Sequence, residues 1–149
     1  MIIFIGADHR GFRLKDKVEA YLAKRNYPVE DVGALTYDQA DDFPQYAAAA
    51  ALKIIGSDDD DPRAILLCGG GQGMAMAANR FHGIRAVVVS DAEAARQTRV
   101  HNNANVLCLA ADIFDSRDEW QEIVDVWLGT AFSGKAQYER RNRQLDELS

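Results

Sequence analysis

Residues 64–73 read AILLCGGGQG, an apolar run that passes directly into four glycines within five positions. A short, continuous apolar run that ends in glycines predicts a strand buried on both faces of a sheet. The glycines allow a tight turn and a close approach of backbone N–H groups to a ligand. We therefore expect a buried strand, an anion- or oxyanion-binding loop and then a helix; a plain strand-to-helix turn is the alternative.

The same alternation of short apolar runs and longer segments of helical period extends over the whole chain. Strands are predicted at 2–6, 29–32, 64–68, 86–89 and 105–109, and helices at 11–25, 44–55, 74–81, 92–100, 119–128 and 136–148. Strands separated by helices form parallel βαβ units with right-handed crossovers. We therefore expect an α/β fold: a three-layer doubly wound sandwich, Rossmann- or flavodoxin-like, with five parallel strands in the order 2-1-3-4-5.

The length and the net charge of the chain limit its possible domain organisation and its possible partners. Its 149 residues, 48% of them hydrophobic, suit a single domain over 1–149. The net charge of −6 argues against nucleic acid as a partner, because binding to a phosphate backbone needs a basic surface. No apolar run approaches the roughly 20 residues that span a bilayer, and no signal-peptide pattern precedes the first strand. We expect no membrane association and a cytoplasmic location.

The two cysteines lie at the end of one apolar run and inside another, which fits neither a disulfide framework nor metal-ligand spacing. Cys108 is interpreted as a core residue. Cys68 directly precedes the glycine loop, where N–H dipoles and a following helix N-terminus would favour a thiolate. Cys68 is therefore a candidate base, with a small buried core side chain as the alternative.

Polar side chains cluster where ligands of doubly wound sheets bind, beyond the carboxyl ends of the strands. The first strand runs into Asp8, His9 and Arg10, where His9 is either an anion contact or one half of a loop pair with Asp8. His101 and Asn102 lie between a helix and the last strand. This placement predicts either helix-end capping or a proton-transfer role, since imidazole titrates near neutrality.

Taken in order, these segments resemble the family of ribose-5-phosphate isomerase B and the galactose-6-phosphate isomerase subunits. The matching segments are GADH at 6–9 with GF at 11–12, DFP at 42–44, CG at 68–69 with the glycines at 71 and 73, AAN at 77–79, GIRA at 83–86, and Arg99 with HNNANV at 101–106. They extend from residue 2 to about residue 132 and are specific as a set.

The resemblance implies an isomerase without cofactor or metal that interconverts ribose 5-phosphate and ribulose 5-phosphate through a cis-enediolate. Cys68 matches the family's cysteine base, and Met74 stands where some relatives have a glutamate base. His101 matches the ring-opening histidine, which in that family crosses a dimer interface. The residues expected to bind the sugar phosphate are Asp8, His9, Arg10, Asp42, Gly69, Gly70, Gly71, Gly73, Asn102 and Arg141.

The resemblance also implies an assembly: a homodimer or homotetramer whose active sites are shared between subunits. The C-terminal helix at 136–148 is expected to pack on a partner subunit.

Several positions depart from the family pattern. Gly70 replaces a hydroxyl residue after Cys-Gly, and Phe43 replaces a tyrosine. Asp112 stands at the position of a phosphate-binding arginine, and Gln137 at the first of two C-terminal arginines, of which Arg141 matches the second. An anion in place of a cation weakens phosphate binding through lost attraction and added repulsion.

Three other hypotheses therefore remain open. The chain could isomerise a different aldose, such as a tetrose or hexose phosphate or an unphosphorylated sugar. It could instead be a binding or regulatory relative that keeps the pocket without efficient catalysis. A nucleotide-binding module is disfavoured, because the glycine spacing matches neither the Gly-x-Gly-x-x-Gly fingerprint nor a P-loop.

Overall fold

Residues 1–148, the part of the chain that the computed structural model describes, form five strands and seven helices, which alternate up to the fifth strand and end in three consecutive helices. The strands are β1 (Ile3–Ala7), β2 (Val29–Gly33), β3 (Arg63–Cys68), β4 (Ala86–Val88) and β5 (Val106–Ala110). The helices are α1 (Phe12–Lys24), α2 (Pro44–Ile55), α3 (Gln72–Ala78), α4 (Ala92–Asn102), α5 (Ala111–Phe114), α6 (Glu119–Gly129) and α7 (Ala136–Asp146). The predicted α/β class is confirmed. Only the short helix α5 has no counterpart in the prediction, and Ser149, the last residue of the predicted domain, lies outside the described residues.

The strands form one parallel sheet in the order β2-β1-β3-β5-β4. The predicted order 2-1-3-4-5 is wrong for the last two strands. All five residues of β5 are buried, and β5 pairs with β3 along its whole length, whereas β4 has three residues, two of them half-buried. A fully apolar strand gains most from an interior position with both faces covered, while a short, half-buried strand suits the edge.

Helices cover both faces of the sheet, as a doubly wound sandwich requires. One core cluster joins the sheet to α1, α4, α5 and α6, and a second joins it to α2 and α3. Right-handed crossovers that move in opposite directions along a sheet place their helices on opposite faces, which accounts for this division. Since α1 follows β1 on one face and α3 follows its neighbour β3 on the other, a crevice opens between these strands at their carboxyl ends.

Helix α7 packs against α4 and the start of β4. Its Tyr138 ring lies 4.8 Å from the His101 ring, Asn142 Nδ2 donates to the His101 carbonyl at 3.2 Å, and Asp146 forms a 2.7 Å ion pair with Arg85. These contacts fix α7 at the amino edge of the sheet. Its predicted packing on a partner subunit stays a prediction. Within residues 1–148, no helix is both long and apolar enough to cross a bilayer.

Candidate active site

Three loops converge around the end of β3. The loop after β1 reaches it through the Asp8 N–H, which donates to the Leu67 carbonyl at 3.3 Å. The next turn of that loop places the Arg10 guanidinium against Gly69. The loop before α2 places the Phe43 ring against Gly73. The glycine loop after Cys68 is therefore enclosed from two sides, as its position at the carboxyl edge predicts.

Cys68 is the last residue of β3 and is 6% exposed. Its Sγ accepts a hydrogen bond from the Gly71 N–H at 3.2 Å. Gly71 has φ of +73°, in the left-handed region that favours glycine, and α3 begins directly after it. The turn thus supplies a backbone donor to the sulfur, an arrangement that suits a thiolate, which accepts hydrogen bonds.

Cys108 is the opposite case. It lies in the middle of β5, fully buried. Burial, with a smaller contribution from nearby Cys68, raises the pKa of the Cys108 thiol far above its ordinary value. Cys108 therefore remains a protonated core side chain, in keeping with its interpretation from the sequence.

Asp8 shapes the turn that leads into α1. Its Oδ1 accepts hydrogen bonds from the backbone N–H groups of Arg10 at 3.0 Å and Gly11 at 3.1 Å. Asp8 itself is buried. The turn keeps His9 and Arg10 beside the glycine loop. Asp8 is thus a structural part of the crevice wall as well as a neighbour of Cys68.

His9 is paired with Asp41, a residue that sequence reasoning missed. Asp41 Oδ1 accepts from the His9 backbone N–H at 3.0 Å and lies 2.7 Å from His9 Nδ1, and Asp41 Oδ2 accepts from the Tyr46 hydroxyl at 3.0 Å. Burial raises the pKa of Asp41, but the hydrogen bonds from His9 and Tyr46 outweigh burial, so the pKa lies below its usual value. Burial and the Asp41 carboxylate together raise the pKa of Tyr46 to about 12.

The adjacent Asp42, which sequence reasoning named, is exposed, whereas the Asp41 side chain is only 2% exposed. The two carboxylates are neighbours in the sequence, and only the loop conformation decides which one turns inward. A sugar contact for Asp42 stays a prediction. The potential ligand atoms of Asp8, His9 and Asp41 lie within 4.8 Å of one another. Within this cluster, a 2.7 Å hydrogen bond joins His9 Nδ1 to Asp41 Oδ1.

An ion pair joins Arg10 to Asp112 across the mouth of the crevice. The Asp112 N–H also donates to the Gly69 carbonyl at 3.0 Å, which ties the loop after β5 to the glycine loop. The two charged side chains are 55% and 54% exposed. The cation closest to the glycine loop is therefore already neutralised by an acid.

We refer to residues 8–10, Asp41, 68–73 and Asp112 as the carboxyl-edge cluster. We refer to the predicted residues His101, Asn102 and Arg141, together with Tyr138, which contacts the His101 ring, as the amino-edge cluster. In this cluster the Arg141 guanidinium lies 5.9 Å from the centre of the Tyr138 ring, which in turn contacts His101.

The two clusters lie at opposite edges of the sheet. Cys68 pairs in register with Ala110, at the end of β5, whereas α4 ends before β5 begins. The four residue steps from Val106 to Ala110 alone span about 13 Å. Within one chain, the structure therefore brings Cys68 together with the glycine loop and residues 8–10 but leaves His101, Asn102 and Arg141 apart from them.

Comparison with known proteins places this arrangement among sugar isomerases. The family model described as Ribose/Galactose Isomerase matches residues 3–145. Ribose-5-phosphate isomerase B of Escherichia coli (strain K12) is 39% identical over 138 residues, which cover 93% of this chain and 90% of that protein. The crystal structure of a ribose 5-phosphate isomerase from Thermotoga maritima is 41% identical, with a TM-score of 0.91 over 99% of this chain and 98% of that one.

Another relative, with a similar percentage of identical residues, is named for a different sugar. The 4-deoxy-4-sulfo-D-erythrose isomerase of Clostridium sp. (strain MSTE9) is 42% identical over 109 residues, which cover 73% of this chain and 67% of that protein. The chain thus resembles isomerases named for a phosphorylated sugar and for a sulfonated one.

Proposed function

Since this chain belongs to the ribose/galactose isomerase family, it is an aldose–ketose isomerase, and we propose that it interconverts ribose 5-phosphate and ribulose 5-phosphate with Cys68 as the base. The observation that carries this proposal is the position of Cys68 at the end of β3. Its sulfur accepts a hydrogen bond from the Gly71 N–H, and the loops after β1 and before α2 lie beside it. The substrate follows the names of the relatives in Escherichia coli and Thermotoga maritima.

The reaction needs a base, an oxyanion site and a group that opens the sugar ring. The Cys68 thiolate takes the C2 proton of the open-chain aldose, so that a C–H bond breaks and an S–H bond forms. The electron pair creates the C1–C2 double bond of the enediolate, and negative charge moves to the carbonyl oxygen. Transfer of a proton between the two oxygens and return of the thiol proton to C1 complete the ketose.

Backbone donors of the glycine loop would hold the developing oxyanion. The first N–H groups of a helix have no partner inside the helix, and α3 begins at Gln72, directly after the loop. The N–H groups of Gly70 and Gly73 are the donors that the proposal assigns to the oxyanion, while the Gly71 N–H supports the sulfur. A preorganised donor of this kind contributes about 3 kcal/mol to the transition state.

The proposal places His101, Asn102 and Arg141 of one subunit in the site of another. Their position at the amino edge supports this assignment, because their own chain keeps them far from Cys68. His101 would then protonate the ring oxygen during ring opening, and Arg141 would bind the anionic end of the substrate. The proposed assembly is a homodimer, or a pair of dimers, in the cytoplasm.

The test is an isomerase assay with ribose 5-phosphate on the wild type and on two matched variants. Cys68→Ala should lose about 10²–10⁴-fold in kcat, the contribution of a positioned acid–base group. Cys108→Ala is the control, because it makes the same substitution at a cysteine in the core and should lower the free energy of unfolding while leaving kcat unchanged. Retained activity in a folded Cys68→Ala variant would exclude Cys68 as the base.

A different aldose is the second candidate, and one observation favours it. The Arg10–Asp112 ion pair leaves the carboxyl-edge cluster without a free cation for a phosphate dianion, and one relative is named for a sulfonated tetrose. A panel containing ribose 5-phosphate, D-ribose, erythrose 4-phosphate and a sulfonated tetrose separates the two candidates. Turnover of another sugar at a higher kcat/KM than that of ribose 5-phosphate would replace the first.

A further inference from the structure

The pairing of His9 with Asp41 has a role beyond that of a loop contact. We propose that Asp41 is a positioning residue: its carboxylate holds the ring proton of His9 on Nδ1, so that Nε2 faces the crevice and accepts a hydrogen bond from a sugar hydroxyl. This role in substrate binding rests on the proposed function, whereas the position of the proton on the His9 ring does not depend on that function.

The placement of His9 supports a ligand contact. His9 lies between Asp8, whose N–H reaches the Leu67 carbonyl, and Arg10, whose guanidinium lies against Gly69. The residues on both sides of His9 therefore contact the residues on both sides of Cys68. The His9 side chain is 26% exposed, enough for one face or edge of the ring to meet a ligand.

The geometry at Asp41 selects one tautomer of His9. An ionised carboxylate only accepts hydrogen bonds, so the 2.7 Å contact requires the proton on Nδ1. The low pKa of Asp41 keeps this carboxylate ionised near neutral pH. In the neutral ring Nε2 then carries a lone pair, and an acceptor at this place suits a hydroxyl group. Two further hydrogen bonds, from the His9 backbone and from Tyr46, fix the carboxylate in place.

Other charged groups surround His9 but do not bond its ring. Asp8 uses Oδ1 for backbone N–H groups, Arg10 and Asp112 are paired with each other, and Asp38 accepts from the Ala40 N–H. Among residues 1–148, Asp41 supplies the side-chain hydrogen bond to the His9 ring. The tautomer should therefore depend on Asp41 alone.

The first test reads the tautomer directly and needs no substrate. In ¹⁵N-labelled protein at about pH 8, above the usual titration range of imidazole, long-range ¹H–¹⁵N spectra report which ring nitrogen carries the proton. The chain has three histidines, so His9→Gln assigns the signals. We expect Nδ1–H in the wild type, a shift toward Nε2–H in Asp41→Asn, and no change in Asp38→Asn, a control in the same loop. Nε2–H in the wild type would overturn the proposal even if Asp41→Asn does not fold.

The second test separates positioning from simple loop packing. Asp41→Asn should raise the KM of the preferred sugar about five- to tenfold, the effect of one impaired hydrogen bond, while kcat changes less than about twofold. Combined with His9→Asn it should add nothing to the effect of His9→Asn alone, because both changes remove one interaction. Tyr46→Phe, which leaves the carboxylate on His9, should raise KM less. Equal effects of Asp41→Asn and Tyr46→Phe, or additivity with His9→Asn, would overturn the proposal. If the wild type turns over no sugar, the proposed function fails while the tautomer test still decides the role of Asp41.

Discussion

The carboxyl-edge cluster around Cys68 and the amino-edge cluster around His101 are built in different ways. The first comes from loops that follow the strands, and backbone groups such as the Gly71 N–H provide its key contact. The second comes from the faces of α4 and α7, where the rings of His101 and Tyr138 are in contact at an interplanar angle of 39°. A parallel sheet gathers the first cluster automatically, because all its strands end at the same edge. The second cluster depends on how two helices pack.

The two clusters also differ in charge. The carboxyl edge has one arginine facing several acids, which are Asp8, Asp41, Asp42 and Asp112. Helix α7 at the amino edge carries three arginines, which are Arg140, Arg141 and Arg143. Opposite charge on two surfaces favours their association. On the proposed function, the cation for an anionic substrate therefore comes mainly from the amino edge of a second copy.

The largest expected effect comes from combining two inactive variants. Cys68→Ser removes the proposed base and His101→Gln the proposed ring-opening group, so each homodimer should lose at least about 10²-fold in activity. A heterodimer of the two variants, purified with two different affinity tags, has one site in which both residues are intact. It should regain about half of the wild-type activity per dimer, because in the proposed dimer each site combines Cys68 of one chain with His101 of the other, and two-fold symmetry gives two such sites.

The control for this experiment is a heterodimer of Cys68→Ser with the double variant Cys68→Ser/His101→Gln, in which no site has both residues. If the heterodimer of Cys68→Ser and His101→Gln is no more active than the two variant homodimers, each chain uses its own His101. Light scattering on the wild type checks the premise, since a monomer could not share sites.

A smaller effect should follow from releasing Arg10 at the carboxyl edge. Asp112→Asn removes a negative charge from the mouth of the crevice and frees the guanidinium, so kcat/KM for ribose 5-phosphate should rise about fivefold, in line with a half-exposed ion pair. Any activity on D-ribose should stay unchanged, because this sugar has no phosphate. Asp118→Asn, an exposed acid at the start of α6, is the matched control. Equal changes in kcat/KM for the two sugars would show that the effect of Asp112 does not depend on the charge of the substrate.

Local sequence was sufficient for the features that depend on neighbours in the chain. The strand predicted at 64–68, which ends in Cys68, and the glycine loop are consecutive, so their placement follows from one stretch of residues. The order of β4 and β5 depends on which strand gains more from burial, and this cannot be read from either strand alone. The ion pair between Arg10 and Asp112 joins residues 102 positions apart. Asp41 and Asp42 are indistinguishable by type, and only the folded loop shows that Asp41 faces His9.

The smallest expected effect concerns acid stability at the carboxyl edge. The hydrogen bonds from His9 and Tyr46 hold the pKa of Asp41 in the folded chain below its ordinary value. These bonds therefore stabilise the fold fully above about pH 5, and this stabilisation is lost as the pH falls through the folded-state pKa. Asp41→Asn has no such carboxylate. The difference in unfolding free energy between wild type and Asp41→Asn, measured by urea denaturation, should therefore narrow as the pH is lowered from about 5 to about 2. For Asp38→Asn, an exposed position in the same loop, the unfolding free energy should change with pH as it does in the wild type. A difference that stays constant over this range would mean that the ionised carboxylate of Asp41 adds nothing to stability, and that the His9 contact is held by the loop rather than by charge.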